Sequence, residues 1–413
     1  MIILHGPFKK VISLGGLSMR GPLSDSDVTE ISDAGILTEN GKIIEIGNYA
    51  HLQSANPEAK NDHAGENMVV MPGFIDAHTH LCWAKDRVLD YALRVAGKSY
   101  LEIAEAGGGI WSSVLKTREA SDDELIRRTV ERAQRHLNDG ITTIEVKSGY
   151  GLSVAAELKL LHAINEANKL TEAGLIPTCL AAHMKPRDFQ GTGRAYLEVL
   201  LQELLPQIKS DGLANRIDIF IEKTAFNPAD SLYYLQEAGK MGFDITVHAD
   251  QFSVGGSEVG IEVNARSVDH LEASGEGEIS LISASETTAV ALPGASLGLG
   301  MAFTPARNIL DKGGKLAIAS DWNPGSAPMG DLVMQASVLG TFEKLTIAET
   351  LAGITFRAAD ALGLADRGKL EPGEWADMQA YDTDDYRAVF YQQGRLKPSV
   401  VWKSGRPVTV TVD

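Results

Sequence analysis

The chain is poor in cysteine, with only Cys82 and Cys179 among its 413 residues. Two thiols do not make a disulfide framework, and a reducing cytoplasm is the expected setting. Long hydrophobic runs are missing as well: no stretch of about 18 apolar residues occurs, so no membrane-spanning helix is expected. The start, Met1-Ile-Ile-Leu-His-Gly-Pro-Phe-Lys-Lys10, lacks the basic region, long apolar stretch and cleavage site of a secretory signal. Basic residues are outnumbered, with 38 Lys and Arg against 55 Asp and Glu. The formal charge of −17 argues against nucleic acid and anionic membranes as partners, and an anionic substrate would need a local positive anchor. No internal repeat or low-complexity linker is visible.

What remains, 44% hydrophobic and 23% charged, is the composition of an ordinary soluble globular protein with room for one large domain and a smaller one. Near the N-terminus short alternating segments carry turn signals: in Gly35–Gly47, Asn40-Gly41 separates two apolar stretches, a hairpin signature. The C-terminal stretch returns to this style, with Val400-Val-Trp402 and Val408-Thr-Val410 flanking the turn Ser404–Pro407. Residues 1–67 plus 369–413 are therefore expected to form one small β-sandwich domain around a catalytic domain of residues 68–368.

Inside that catalytic stretch, strand-like runs alternate with helical ones: Val69–Ile75, Ile141–Val146, Leu175–Ala182, Ile217–Ile221, Phe243–Val247, Arg266–Val268, Thr288–Leu292 and Leu316–Ser320. Eight such runs predict an α/β fold, a (β/α)8 barrel of the TIM type. The clearest connecting helix runs from about Asp122 to Asp139. Ser121 and Glu124 are set for a capping box, Leu125, Thr129, Ala133 and Leu137 line one face, and Gly140 ends it.

Active sites of such barrels lie at the C-terminal ends of the strands. There the chain places His78 and His80, then Lys147–Tyr150, His183, Glu222, His248, Asp269-His270 and Asp321, so that five of its ten histidines fall at strand ends. Residues i and i+2 of a strand share a face, which lets His78 and His80 grip one metal ion. Glu222 is either structural or a bridge to a second metal, Lys147 is read as structural, and Cys82 is expected to pack away from the pair. The glycines at 107–109 read as a tight turn. His5, His51, His63, His136 and His162 are read as structural.

This arrangement resembles the amidohydrolase superfamily, as do Pro72-Gly-Phe-Ile-Asp76 ahead of the histidine pair and Gly368-Lys-Leu-Glu-Pro-Gly-Glu-Trp-Ala-Asp377 where the chain returns to its β domain. Glu145–Leu152, His248-Ala-Asp-Gln251, Asp269-His-Leu271, Leu292-Pro-Gly294 and Asp321–Ser326 are similar to segments of members that open the ring of an imidazolone bearing a propionate tail, a step of histidine degradation. The resemblance implies metal ligands His78, His80, His248 and Asp321. It implies one divalent ion, Zn²⁺ first and Fe²⁺ or Fe³⁺ next, with His270 and Asp321 as catalytic groups. Arg87 would hold the propionate, with Lys85 the nearby alternative. Tyr150, His183, Gln251 and Ser326 would touch the substrate, and Asn323 and Gly325 the opened product. A small anionic heterocycle is the implied substrate and a homodimer the implied assembly.

The chain departs from the family pattern in Leu81-Cys-Trp-Ala-Lys-Asp-Arg87, where Cys82 and Trp83 can reshape the pocket wall, and at Gln251, where some members carry glutamate. An amide cannot shuttle protons, so the relay is placed on Asp321 and His270. The alternatives are a related hydrolase of another small cyclic amide, an aromatic deaminase, which Gln251 disfavours, and a scaffold without metal, which the four retained ligands disfavour.

Overall fold

The computed structural model of the chain describes residues 1–98, 102–103 and 106–408. Near the N-terminus lie β1 (Ile2–Ile12), β2 (Glu30–Glu39), β3 (Lys42–Asn48), β4 (Lys60–Asp62) and β5 (Val69–Pro72). Asn40 and Gly41, at φ 52° and 83°, join β2 to β3. Both central residues are left-handed, as the twist of a two-residue hairpin demands, so the Asn-Gly signal is realised.

The next eight strands are β6 (Phe74–Asp76), β7 (Ile141–Lys147), β8 (Gly174–Ala182), β9 (Arg216–Ile219), β10 (Asp244–Ala249), β11 (Ser267–His270), β12 (Thr288–Ala291) and β13 (Leu316–Ile318). They pair in parallel, each with its neighbour in the chain. The two ends of the path meet just past the strands. Asp321 N–H donates to His78 O and His80 N–H to Trp322 O, each at 3.0 Å, around a bridge between Thr79 and Trp322. The barrel thus closes at its C-terminal rim, and the closure sets two histidines beside an aspartate.

The chain then adds β14 (Met378–Tyr381), β15 (Val400–Lys403) and β16 (Arg406–Val408) to the N-terminal strands. The resulting mixed sheet has the order β16-β15-β14-β5-β1-β2-β3, with β4 on β1. Thr409 and Val410, assigned to the last strand from sequence, lie outside the described residues.

One strand differs from expectation. The run Val69–Ile75 is two strands: Val69–Pro72 pairs with β14 and β1 in the mixed sheet, and Phe74–Asp76 pairs with β7 in the barrel. Gly73 makes the crossing, donating its N–H to Asp377 O at 2.8 Å. A Cβ there would sit 2.5 Å from Thr142 Oγ1, so only glycine lets the backbone pass this close.

The helix at Asp122–Asn138 forms as its periodicity implies, with Leu125, Thr129, Ala133 and Leu137 buried. Ser121 caps it by accepting from Glu124 N–H at 3.2 Å. The reciprocal half of the capping box is absent, because the Glu124 carboxylate turns to Arg128 one turn on, at 2.8 Å. Gly140, at φ 85°, ends the helix. Among the described residues no helix is long and apolar enough to cross a membrane.

Candidate active site

Ring nitrogens of His78, His80 and His248 lie within 4.8 Å of one another, all buried. His80 Nε2 is 3.4 Å from His248 Nε2 and 3.3 Å from Asp321 Oδ1. The same carboxylate oxygen is 3.6 Å from His78 Nε2, a nitrogen with no hydrogen-bond partner among the described residues. Buried polar atoms are normally paired, and bringing three imidazoles and a carboxylate together without a cation is costly. The donor set fits a divalent metal ion.

Two buried aspartates aim these rings. Asp269 Oδ2 takes His78 Nδ1 at 2.6 Å, and Asp218 Oδ2 lies 2.9 Å from His248 Nδ1. Each ring is thereby turned with Nε2 inward. Sequence reasoning gave neither aspartate a role: each lies in a short strand of entirely buried residues that mixes polar with apolar side chains, and nothing local marks it as the partner of a distant ring. Burial carries His78 well below the usual imidazole range and His80 and His248 down to about 3. Neutral imidazole is the form that binds metal. Burial pushes Asp269 up to about 7. It pushes Asp218 the same way, but His248 and Lys147 outweigh it and hold that carboxyl well below the ordinary range. We expect Asp269→Asn to weaken metal binding about 10- to 100-fold, the scale of losing a group that orients a ligand; a chelator competition would measure it.

His270 ends β11 with φ 87°, and Leu271 follows at 70°. Consecutive non-glycine residues in this region persist only where their surroundings hold them. Thr304 Oγ1 donates to His270 O at 2.5 Å, and Leu271 N–H donates to Ala249 O at 3.0 Å. The His270 ring lies 5.4 Å from that of His248 and 6.0 Å from that of His78, outside the three-histidine cluster. Its Nδ1 faces Glu272 at 3.4 Å, and Ser296 Oγ donates to the same carboxylate at 3.1 Å. Burial works against the charged imidazole, but Glu272 prevails and raises its pKa, unlike those of its neighbours. Sequence reasoning missed Glu272, since a glutamate beyond a strand end looks like any solvated acid.

Around this centre the structure brings together most of the remaining predicted residues. Tyr150 is buried with its ring 5.9 Å from His80 and 5.6 Å from His183. His183 donates Nδ1–H to Gly149 O at 3.0 Å and stacks on His80 at 5.6 Å. Gln251 is buried just past β10. Arg87 opens the helix Val88–Val95 and donates Nε–H to Asp90 Oδ2 at 2.7 Å. Gly109 N–H donates to that same oxygen at 2.8 Å, so the glycine turn buttresses Arg87 through Asp90. A Cβ at Gly325 would collide with Arg87 Nη1, which puts the Nη edge of the guanidinium over the loop that follows β13. Lys85 is exposed.

Asn323, Gly325 and Ser326 form one turn that aims Asp321. Asn323 Oδ1 accepts Gly325 N–H at 2.7 Å and Ser326 N–H at 2.8 Å, while its Nδ2 donates to Asp321 Oδ2 at 2.8 Å and Ser326 Oγ at 2.9 Å. Asp321 itself stands at φ 50°, with Oδ2 tied to this turn and Oδ1 toward the histidines. Glu222 accepts from the N–H groups of Phe252 and Ser253 at 3.1 and 3.0 Å and braces the loop after β10. Lys147 is fully buried between two carboxylates. Cys82 is buried too, its thiol pushed up to about 11 by burial. Strand alternation does not govern it, since the ladder of β6 stops at Asp76.

A closed parallel barrel with three histidines and an aspartate on its C-terminal rim defines the class of protein. The amidohydrolase family model matches residues 69–408. Imidazolonepropionase of Deinococcus deserti is 38% identical over 383 residues, covering 92% of this chain and 94% of its own. That of Deinococcus radiodurans is 40% identical over 381 residues, covering 92% and 93%. A triazine hydrolase variant of known structure superposes with a TM-score of 0.77 at 18% identity, over 98% of this chain and 94% of its own, a likeness of fold. The chain belongs to the amidohydrolase family and, within it, to the imidazolonepropionases.

Proposed function

We propose that this site hydrolyses the cyclic amide of 4-imidazolone-5-propanoate to N-formimidoyl-L-glutamate. The observation that carries the reading is the placement, on one rim, of three histidines with Asp321 and the Nη edge of a half-buried, pre-oriented arginine. His78, His80, His248 and Asp321 hold one divalent ion, with Zn²⁺ favoured by three imidazoles and a carboxylate and iron the second choice. When bound, the ion supplies Lewis-acid activation of water near neutral pH.

Arg87 holds the propionate by a charge-assisted hydrogen bond. Tyr150, His183 and Gln251 enclose the ring. The oxygen of water adds to the ring carbonyl carbon and the bond from that carbon to the ring nitrogen breaks, leaving a carboxylate on one side and the formimidoyl nitrogen on the other. Asp321 takes the proton from the attacking water, steadied through Oδ2 by Asn323 and Ser326. His270, kept protonatable by Glu272, stands beside the carbonyl and returns a proton to the departing nitrogen. Gln251, an amide, positions and does not relay.

The test is incubation of the metal-replete protein with 4-imidazolone-5-propanoate while its ultraviolet absorbance is followed. Loss of absorbance with formation of N-formimidoyl-L-glutamate is expected. Unchanged substrate in the presence of a full complement of metal would reject the assignment.

A further inference from the structure

We propose that Lys147 is the positioning residue that couples the two halves of the metal centre, holding the segment that carries His78 and His80 in register with His248. The inference rests on reading the histidine cluster as a metal site and not on the choice of substrate.

Glu145 and Lys147 share the inward face of β7, two residues apart, and both are completely buried. Three hydrogen bonds tie this pair to Thr79, the residue between His78 and His80. Thr79 N–H donates to Glu145 Oε2 at 3.2 Å, Thr79 Oγ1 donates to Glu145 O at 2.6 Å, and Lys147 N–H donates to Thr79 O at 2.9 Å. On its other side the Lys147 ammonium lies 2.8 Å from Glu145 Oε1 and 2.8 Å from Asp218 Oδ2. Asp218 in turn accepts His248 N–H at 3.2 Å through Oδ1 and lies 2.9 Å from His248 Nδ1 through Oδ2. One buried cation therefore joins the two ligands that follow β6 to the ligand on β10 through carboxylates on β7 and β9.

A core role alone does not account for it. Replacing a buried ion pair with well-packed apolar groups is often neutral or stabilising, so such a pair is weak evidence of a contribution to stability. At one end of this one Asp218 contacts the ligand His248, and at the other Glu145 holds Thr79, the residue between His78 and His80. Without Lys147, two buried carboxylates would face each other, and Asp218 would lose the partner that keeps it against His248.

The experiment measures metal binding, with no substrate present. Lys147→Met should bind Zn²⁺ about 10- to 100-fold more weakly than wild type in competition with a chelator, the scale of losing outer support for a ligand. The visible spectrum of its Co²⁺ form should shift, while the far-ultraviolet circular dichroism of the metal-free protein stays unchanged. Should that variant fail to fold, Lys147→Met with Glu145→Gln removes the cation together with one buried charge, and the same loss of Zn²⁺ affinity is expected. A folded variant with wild-type Zn²⁺ affinity and a wild-type Co²⁺ spectrum would reduce Lys147 to an ion pair of the core and overturn the proposal. Failure of the wild type to open the imidazolone ring would leave the metal affinities, and the role they assign to Lys147, untouched.

Discussion

His270→Ala should keep its metal and lose roughly 10²- to 10⁴-fold in kcat, the range typical of removing a positioned acid or base. The expectation follows from the separation of two sets of imidazoles. His78, His80 and His248 point Nε2 at one another and at Asp321. His270 stands beside them on its own backbone bend, with Glu272 at its back and a pKa moved in the opposite direction. Metal content by elemental analysis, with kcat on the same sample, separates the roles. If the variant loses its metal, His270 is a ligand and the assignment of acid and ligand must be redrawn.

Arg87→Met should lower kcat/KM for the propionate-bearing substrate about 10- to 150-fold, since a hydrogen bond to a charged group contributes roughly 1.5–3 kcal/mol. Asp90 holds Nε at 2.7 Å and leaves the other edge of the guanidinium over Gly325, so the fork is oriented before any ligand arrives. The deficit should nearly vanish for an analogue whose carboxylate is replaced by a neutral amide. Wild type and variant discriminating equally between acid and amide would place the anchor elsewhere, with Lys85 next in line.

Much of this was legible in the order of residues. Every barrel run except Thr288–Leu292 is followed by a polar residue that the fold delivers to one rim, and alternating strand and helix periodicity located all eight within a few residues, apart from the first. That one misled because Val69–Ile75 is almost uniformly apolar: continuous hydrophobicity marks burial but not the sheet that does the burying, and the switch shows only in the pairing on either side of Gly73 and in the close approach of Thr142 to it. The side chains that support the site were harder to see. Asp218, Asp269 and Glu272 act through contacts between residues far apart in the chain or around a backbone bend, which no local pattern encodes. The resemblance assigns Asn323 to the opened product, and the structure adds a second task for its amide, bracing its own turn, because a loop that must hold Asp321 at positive φ needs internal hydrogen bonds to stay there.

The barrel seam carries a further consequence, one of timing. Asp76 and Ser320 N–H, 244 residues apart, meet at 3.0 Å across it, and the backbone bonds beside them join the histidine pair to Asp321. Contacts of such separation form late, because the entropy of closing a long loop must be met before they are rewarded. A chain still emerging from synthesis thus holds three histidines and no aspartate, an incomplete donor set in an unclosed barrel. One early strand waits longer still, since β5, already beside β1, gains its second neighbour β14 only after the whole barrel has been made.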